Sequence, residues 1–388
     1  MSKTVKDLII IAISTLLLTF LVWLPHLLQL PSFYGLDFSQ GFNTIYRNFD
    51  GLEYVIIAKT LYDPQAIASL PQSLPANYFA AHFPGYALII LLFAPLLGFL
   101  KSMLFTSLLF TILSAVTFYF LLKDFKLSSQ PLFLSLLFLL LPARWLVVHS
   151  VGSAEPLFIF FVLAAVYWFL KYEQTLKSKL ILLTTLFGVL AQFTRPPGIL
   201  LFIALALYVG WKLLNDSNSN FTRKIRKTLP YFPLLLIPAS LLVVFYWYSL
   251  TYQDFFAYFH SGDNIHLTFP PFQVFNINQT WVGDIWLEDI VYIFLLGFLG
   301  GLLLLKQKLI LPGIFVLTYL SAAILVAHRD IARYTLPIFP FLLIAFEKVL
   351  ISREFKIAFT IIALGIYLYA QNFILNNTAP VPSLQVFN

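Results

Sequence analysis

Apolar segments long enough to cross, or nearly cross, a bilayer follow one another along almost the whole chain. They lie near residues 8–29, 84–100, 102–122, 131–149, 156–170, 178–193, 197–214, 230–250, 289–305, 309–327, 335–350 and 357–373. A membrane-spanning helix takes about 20 apolar residues. Inside hydrocarbon each backbone polar group must find its partner within the segment, and a helix does that. The pattern therefore predicts an all-α polytopic membrane protein, residues 1–388 forming a single membrane-embedded domain. A mean hydropathy of +0.87 agrees, because a soluble chain could not hide that much apolar surface.

Two further counts exclude whole classes of function. There is no cysteine, so disulfides, thiolate metal sites and thiol nucleophiles are ruled out. A net charge of +7 would suggest a nucleic-acid partner in a soluble chain. In a membrane protein it reflects lysines and arginines retained on the cytoplasmic side, so no nucleic acid is expected and membrane lipid is the surrounding partner. The basic N-terminus runs into a long apolar stretch with no small-residue cleavage site after it, and it reads as an uncleaved first span.

Charge sets the expected orientation. If Lys3 and Lys6 are cytoplasmic, the clusters Lys123/Lys126, Lys171/Lys177/Lys179, Lys212 to Lys227, Lys306/Lys308 and Lys348/Arg353/Lys356 follow, provided that 84–100 does not cross. Only Lys101 separates that run from the next, too little for a turn between two full spans. Segment 84–100 is therefore expected to be a re-entrant or membrane-surface helix within a long exoplasmic loop, 30–101, leaving about eleven spans. Loop 215–229 is then cytoplasmic and loop 251–288 exoplasmic, in a multi-pass protein of the plasma membrane. Arg47, Lys59, Lys101, Arg144, Arg195, Arg329 and Arg333 fall on the outer side, against the retention rule, and each needs a reason.

Polar signals gather on that same face. RNFDGLEY (47–54) opens a short helix on which Tyr46, Asp50, Glu53 and Ile57 are expected to share one side. His82 ends the loop, ARWLVVHSVGSAEP holds Arg144, His149, Ser153 and Glu155, and FTRPPG places Arg195 before two helix-breaking prolines. Loop 251–288 contains Asp254, His260, Asp263, His266, Asp284 and Glu288, and AHRDIARY carries Arg329, Asp330, Arg333 and Tyr334. Acids and arginines at a membrane boundary also snorkel or pair with each other, and the bland reading of Arg144, Asp330, Glu53 and Lys59 is of that kind. The histidines have no zinc spacing, so no metal is expected. Asp50 is different, since an unpaired acid in an aromatic-rich helix is costly. Arg195, Arg329 and Arg333 would repel one another unless they hold an anion, which points to phosphate.

A carboxylate facing arginines at the membrane boundary is what glycosyl transfer from a lipid phosphate needs. The acid, Asp50 with Glu53 as a second candidate, takes the proton of an acceptor hydroxyl, and the arginines stabilise the departing phosphate. One base with in-line displacement predicts inversion. The same residues resemble a family. NFDGLEYVIIAKTLYDP is similar to the WDG..Y..IA..GY segment of the PIG-V-like mannosyltransferases, within the GT-C superfamily of membrane glycosyltransferases. HFPGYALI is similar to their FFPLYP segment, AQFTRPPGILL to TRP.G, and RYTLPIFPFLL to RY..P..P.

These segments occur in order from about residue 45 to 345. The resemblance implies a GT-C-type bundle, a polyprenyl- or dolichyl-phosphate sugar donor (often mannose), a glycan, lipid or protein acceptor, and neither metal nor nucleotide cofactor. It matches Asp50 to the catalytic acid, and Arg195, Arg333 and Tyr334 to the other motif positions. Phe49 departs from the family's Trp, and Gly85 and Ala87 loosen the PLYP pattern. Arg329 joins the phosphate set by proximity, and His82, Glu155, Arg144 and Asp330 are cavity candidates. Competing expectations are a lipid-linked glycan flippase or transporter, whose charges sit nearer the midplane, a non-catalytic scaffold, which needs no arginine group, and a glycan polymerase or ligase.

Overall fold

The structure is a computed structural model that describes residues 2–217, 220–262, 267–282, 287–379, 384 and 387, with only the backbone of Phe221. Asp263, His266 and Asp284 lie outside the described residues. Helices account for nearly all of the regular structure, and only three isolated β-bridges occur among the described residues. In chain order the principal helices are α1 (Lys3–Leu27), α2 (Gly51–Thr60), α3 (Pro84–Leu97), α4 (Phe99–Asp124), α5 (Pro131–Phe138) and α6 (Ala143–His149). They continue with α7 (Glu155–Thr175), α8 (Ser178–Thr194), α9 (Gly198–Leu214), α10 (Leu236–Thr251), α11 (Glu288–Lys306), α12 (Ile310–Ala323), α13 (Ile331–Tyr334), α14 (Phe339–Ala345) and α15 (Arg353–Asn376).

Six described helices are long and apolar enough to cross a membrane: α1, α4, α7, α11, α15 and the run Thr222–Thr251 that ends as α10. The pair α5 and α6, bent by 71°, makes a seventh if it is one broken span. The continuous 131–149 segment expected from the sequence is thus two short helices. Shorter apolar helices (α3, α8, α9, α12 and the stretch Ile331–Ala345) fill the rest of the bundle. With 14 residues, α3 is about 21 Å long, short of a hydrocarbon core of about 30 Å. Length alone does not set it apart, because α12 also has 14 residues.

Side-chain partitioning runs opposite to that of a soluble bundle. Helix α1 exposes Ile9, Ile10, Ile13, Leu16, Leu17 and Phe20 while burying Asp7, Thr15, Thr19 and His26. Helices α10 and α15 likewise turn Leu242, Val243, Leu250, Ile361 and Ile362 outward. Such a surface is stable only against lipid, where polar side chains turn inward and help to hold helices together. Small residues allow close helix contact. A Cβ on Gly85 of α3 would lie 2.8 Å from Thr194 Cα and 2.9 Å from the Phe193 carbonyl. Because it meets backbone, Gly85→Ala should cost about 1–3 kcal/mol, read as a lower unfolding midpoint in detergent; an unchanged midpoint would show that this contact is not tight.

The bundle has two chemically distinct ends. At one, Lys123 reaches Thr4, Lys171 pairs with Asp124 at 2.9 Å, Lys212 with Glu173 at 2.6 Å, and Lys356 Nζ donates to Gln130 at 3.2 Å. Those residues come from the N-terminal end of α1 and α15 and the C-terminal end of α4, α7 and α9. The opposite ends of α1, α7 and α15 carry Trp23, Glu155 and Phe373, and Arg195 stands at the close of α8. These four lysines therefore gather away from Arg195 and Glu155.

Candidate functional site

The eight residues RNFDGLEY do not form one helix. A four-residue turn, Asn43–Tyr46, is separated from α2 by Arg47 to Asp50, and Phe49 has a left-handed backbone with φ 48°. Tyr46 consequently leaves the expected stripe, and Asp50 becomes the residue capping α2. Gly51 is required beside it, since a Cβ there would lie 2.9 Å from the Gly152 carbonyl oxygen. The loop is pressed against the start of α7, and that contact brings Asp50 towards Glu155.

At the centre of the site is Arg333 of α13, only 5% exposed. Its Nη2 donates to Asp50 Oδ2 at 2.5 Å, and its Nε donates to Glu155 Oε1 at 2.5 Å. Arg195 Nη1 donates to the same Glu155 oxygen, and Ser153 Oγ donates to the other. Glu155 itself is fully buried. Two acids and two arginines thus share one neutral cluster, which corrects the expectation that the arginines repel until an outside anion arrives. Glu155 and Asp50 already supply that anion. Burial alone would push the Asp50 carboxyl up, but Arg333, His82 and Arg195 outweigh it and hold Asp50 well below the usual carboxylate range. Its carboxylate is about a third exposed (36%).

Asp50 opens onto a cavity of about 570 Å³, which is also lined by Tyr54, Tyr78, His82, Phe83, Arg195, Tyr258, Tyr319 and Tyr334. Its remaining wall is apolar: Ile199 and Leu200 of α9, Leu241 and Phe245 of α10, Ala322 and Ala323 of α12, then Val326 and Leu267. His82 Nε2 stands 4.0 Å from Asp50 Oδ2. The His82 carbonyl accepts the Tyr62 hydroxyl at 2.7 Å, and the Tyr54 ring meets its imidazole edge-on at 5.2 Å. Two prolines after Arg195 end α8 and begin α9, placing the guanidinium at the cavity wall.

Of the residues singled out in the sequence, Asp50, His82, Arg195 and Tyr334 meet at the cavity. Arg333 and Glu155 lie directly behind them and are buried. The other candidates fall elsewhere. Arg329 is exposed and does not line the cavity, because α13 turns its inward side at Arg333. Arg144 and Asp330 pair with each other at 3.2 Å, and Arg144 lies over the Phe373 ring at 3.8 Å, so neither reaches the cavity. Burial pushes the Asp330 carboxyl up, although Arg144 opposes it. Glu53 is half-buried in the first turn of α2 and does not line the cavity. His149 is buried, its Nε2 2.9 Å from the Leu139 carbonyl oxygen, and Asp254 pairs with His260 on the surface.

Apart from Tyr334, the tyrosines of the cavity were not singled out from the sequence. Tyr54 could have been found from its position one helical turn after Asp50, whereas Tyr258 and Tyr319 sit in apolar surroundings with no signal of their own. The chain matches no protein-family model and no curated protein among those with which it was compared. The motif resemblance therefore rests on the four short segments themselves.

Proposed function

We propose that the protein is a membrane glycosyltransferase that transfers a hexose, such as mannose, from a polyprenyl-phosphate donor to a glycan, lipid or protein acceptor. One observation carries this reading: a single cavity combines a carboxylate, an imidazole and a guanidinium with an apolar wall contributed by three helices. Such walls fit an amphiphile with an anionic head and a hydrocarbon tail, and the volume lies within the range of about 300–1,000 Å³ usual for small-molecule sites. The lysine-poor end is exoplasmic on this reading, in a plasma-membrane bundle of about eleven spans with α3 re-entrant.

Among the described residues, both ion pairs of Asp50 are made through Oδ2, and on this reading Oδ1 accepts the proton of the acceptor hydroxyl. The acceptor oxygen bonds to the anomeric carbon from the side opposite the phosphate, and the carbon–oxygen bond to phosphate breaks. Its electron pair leaves on the polyprenyl phosphate, giving inversion. Arg195 faces the growing phosphate charge. A carboxylate held strongly ionised is a weak base. It suffices when the anomeric centre is already oxocarbenium-like, because the attacking hydroxyl then becomes acidic late in the reaction.

The test is release of product from a labelled polyprenyl-phosphate hexose in proteoliposomes. No turnover with any polyprenyl-phosphate sugar would sink the reading, and vectorial movement of an intact lipid-linked glycan would favour a flippase instead. Arg195→Met should lower kcat/KM for the donor by about 10²–10³-fold. Arg195→Lys should fall between the two, since it keeps the charge but loses the planar fork. Equal rates in all three proteins would remove Arg195 from the donor site.

A further inference from the structure

Helix α15 contributes nothing to the cavity wall, yet it is fastened to the loop that carries Asp50. Asn48 Nδ2 donates to the Ile374 carbonyl at 2.7 Å, and the Ala379 amide donates to the Arg47 carbonyl at 2.8 Å. The helix is itself held to α1 inside the bundle: Gln371 Nε2 donates to the Val22 carbonyl at 2.9 Å, and Gln371 Oε1 lies 3.0 Å from His26 Nε2. Between these anchors and Asp50 sits Phe49. A bulky side chain adopts the left-handed region only when its surroundings hold it there.

What packs against it is a column of two stacked rings with a guanidinium at each end. Arg144 lies 3.8 Å from the Phe373 centroid, Phe373 is stacked on Phe49 at 5.4 Å with 26° between the planes, and Arg333 lies 4.5 Å from the Phe49 centroid. Two edges of the Arg333 guanidinium are taken by Asp50 and Glu155. Two carboxylates at its edges leave the guanidinium room to swing, and the Phe49 ring 4.5 Å from its central carbon limits that movement. Ring–cation contacts also strengthen when both partners leave water, as they have here.

We propose that α15 is a positioning element of the site: Phe373, acting through the Phe49 ring, holds Arg333 against Asp50. Without the column, Arg333 tilts away, Asp50 loses part of its counter-charge, and the carboxylate moves relative to the cavity. The effect on turnover rests on the proposed role of Asp50 as base. The hold on Arg333 does not.

Two measurements test this. Phe373→Leu keeps apolar volume and removes the ring; Phe373→Trp keeps a ring. The leucine variant should lower kcat about tenfold, leave the donor KM within about twofold, and raise the acid limb of the kcat/KM profile by about one pH unit. Tryptophan should restore both. A lowered kcat with the acid limb unmoved, or no rescue by tryptophan, would reduce Phe373 to packing and overturn the proposal.

The second measurement needs no activity. Phe373 and Asp50 make no hydrogen bond, ion pair or ring contact with each other. Independent substitutions would shift the unfolding midpoint in detergent additively. Phe373→Leu combined with Asp50→Asn should shift it by clearly less than the sum of the two. Additive shifts overturn the proposal even if the protein transfers no sugar, so the two readings fail separately.

Discussion

Asp50→Asn should reduce sugar transfer by about 10³–10⁴-fold, close to the full contribution of a general base. The amide keeps the shape and still reaches Arg333, so donor binding should change little. Full activity in the variant would remove Asp50 from the chemistry. The same residue sets an expectation for pH. Asp50 is held below the usual carboxylate range in the folded protein, because Arg333, His82 and Arg195 outweigh burial. A group with a lowered folded pKa contributes stability that is fully present above its unfolded pKa of 3.8 and is lost as pH falls through the folded value. Transfer should accordingly persist on the acid side to lower pH than an ordinary carboxylate base would permit. An acid limb at or above pH 5 would assign that limb to another group.

The second large effect lies behind the cavity. Glu155→Gln should destabilise the protein by about 3–5 kcal/mol, since a buried glutamate that balances two guanidiniums is replaced by a neutral amide. Glu155 is 0% exposed, with Arg195 and Arg333 both on its Oε1, so both guanidiniums lose their shared buried partner at once. Loss should show as a steep fall in the unfolding midpoint in detergent, with Glu155→Asp intermediate. If the midpoint stays where it was, the cluster is not what anchors α7, α8 and α13 together. Arg333→Met offers a cross-check, because it should be as damaging for the mirror-image reason.

Much of the architecture is legible in the sequence because lipid simplifies the rules. Apolar length alone marks the positions of α1, α4, α7, α11 and α15, and a proline pair after Arg195 marks where α8 gives way to α9. Interruptions inside apolar runs are harder to see. The 131–149 stretch is apolar enough to pass as one span, yet it bends by 71° between α5 and α6, where Pro142 and Arg144 stand. The break at Phe49 is equally silent, because its left-handed backbone depends on rings supplied by α15, more than 300 positions later in the chain. That Asp50 and Arg195 meet was foreseeable from their shared position at helix ends. Which arginines would meet them was not. Arg329 lies in the turn before α13 and is exposed, whereas Arg333 on α13 packs inward against Phe49, Asp50 and Glu155. The central place of Glu155 is hidden for the same reason: a lone acid in an apolar run looks like a stray charge until its two partners arrive from distant helices.

The neutral cluster also bears on how an anionic ligand comes and goes. Arg195 already has a protein partner in Glu155. On the proposed reading, an entering phosphate would exchange places with a resident carboxylate instead of falling onto a bare cation. Affinity is lowered by that competition, but the carboxylate never leaves the protein and is ready to reclaim its arginine. Turnover by a lipid-phosphate enzyme is limited when the spent carrier lingers, and a carboxylate built in beside the guanidinium works against that.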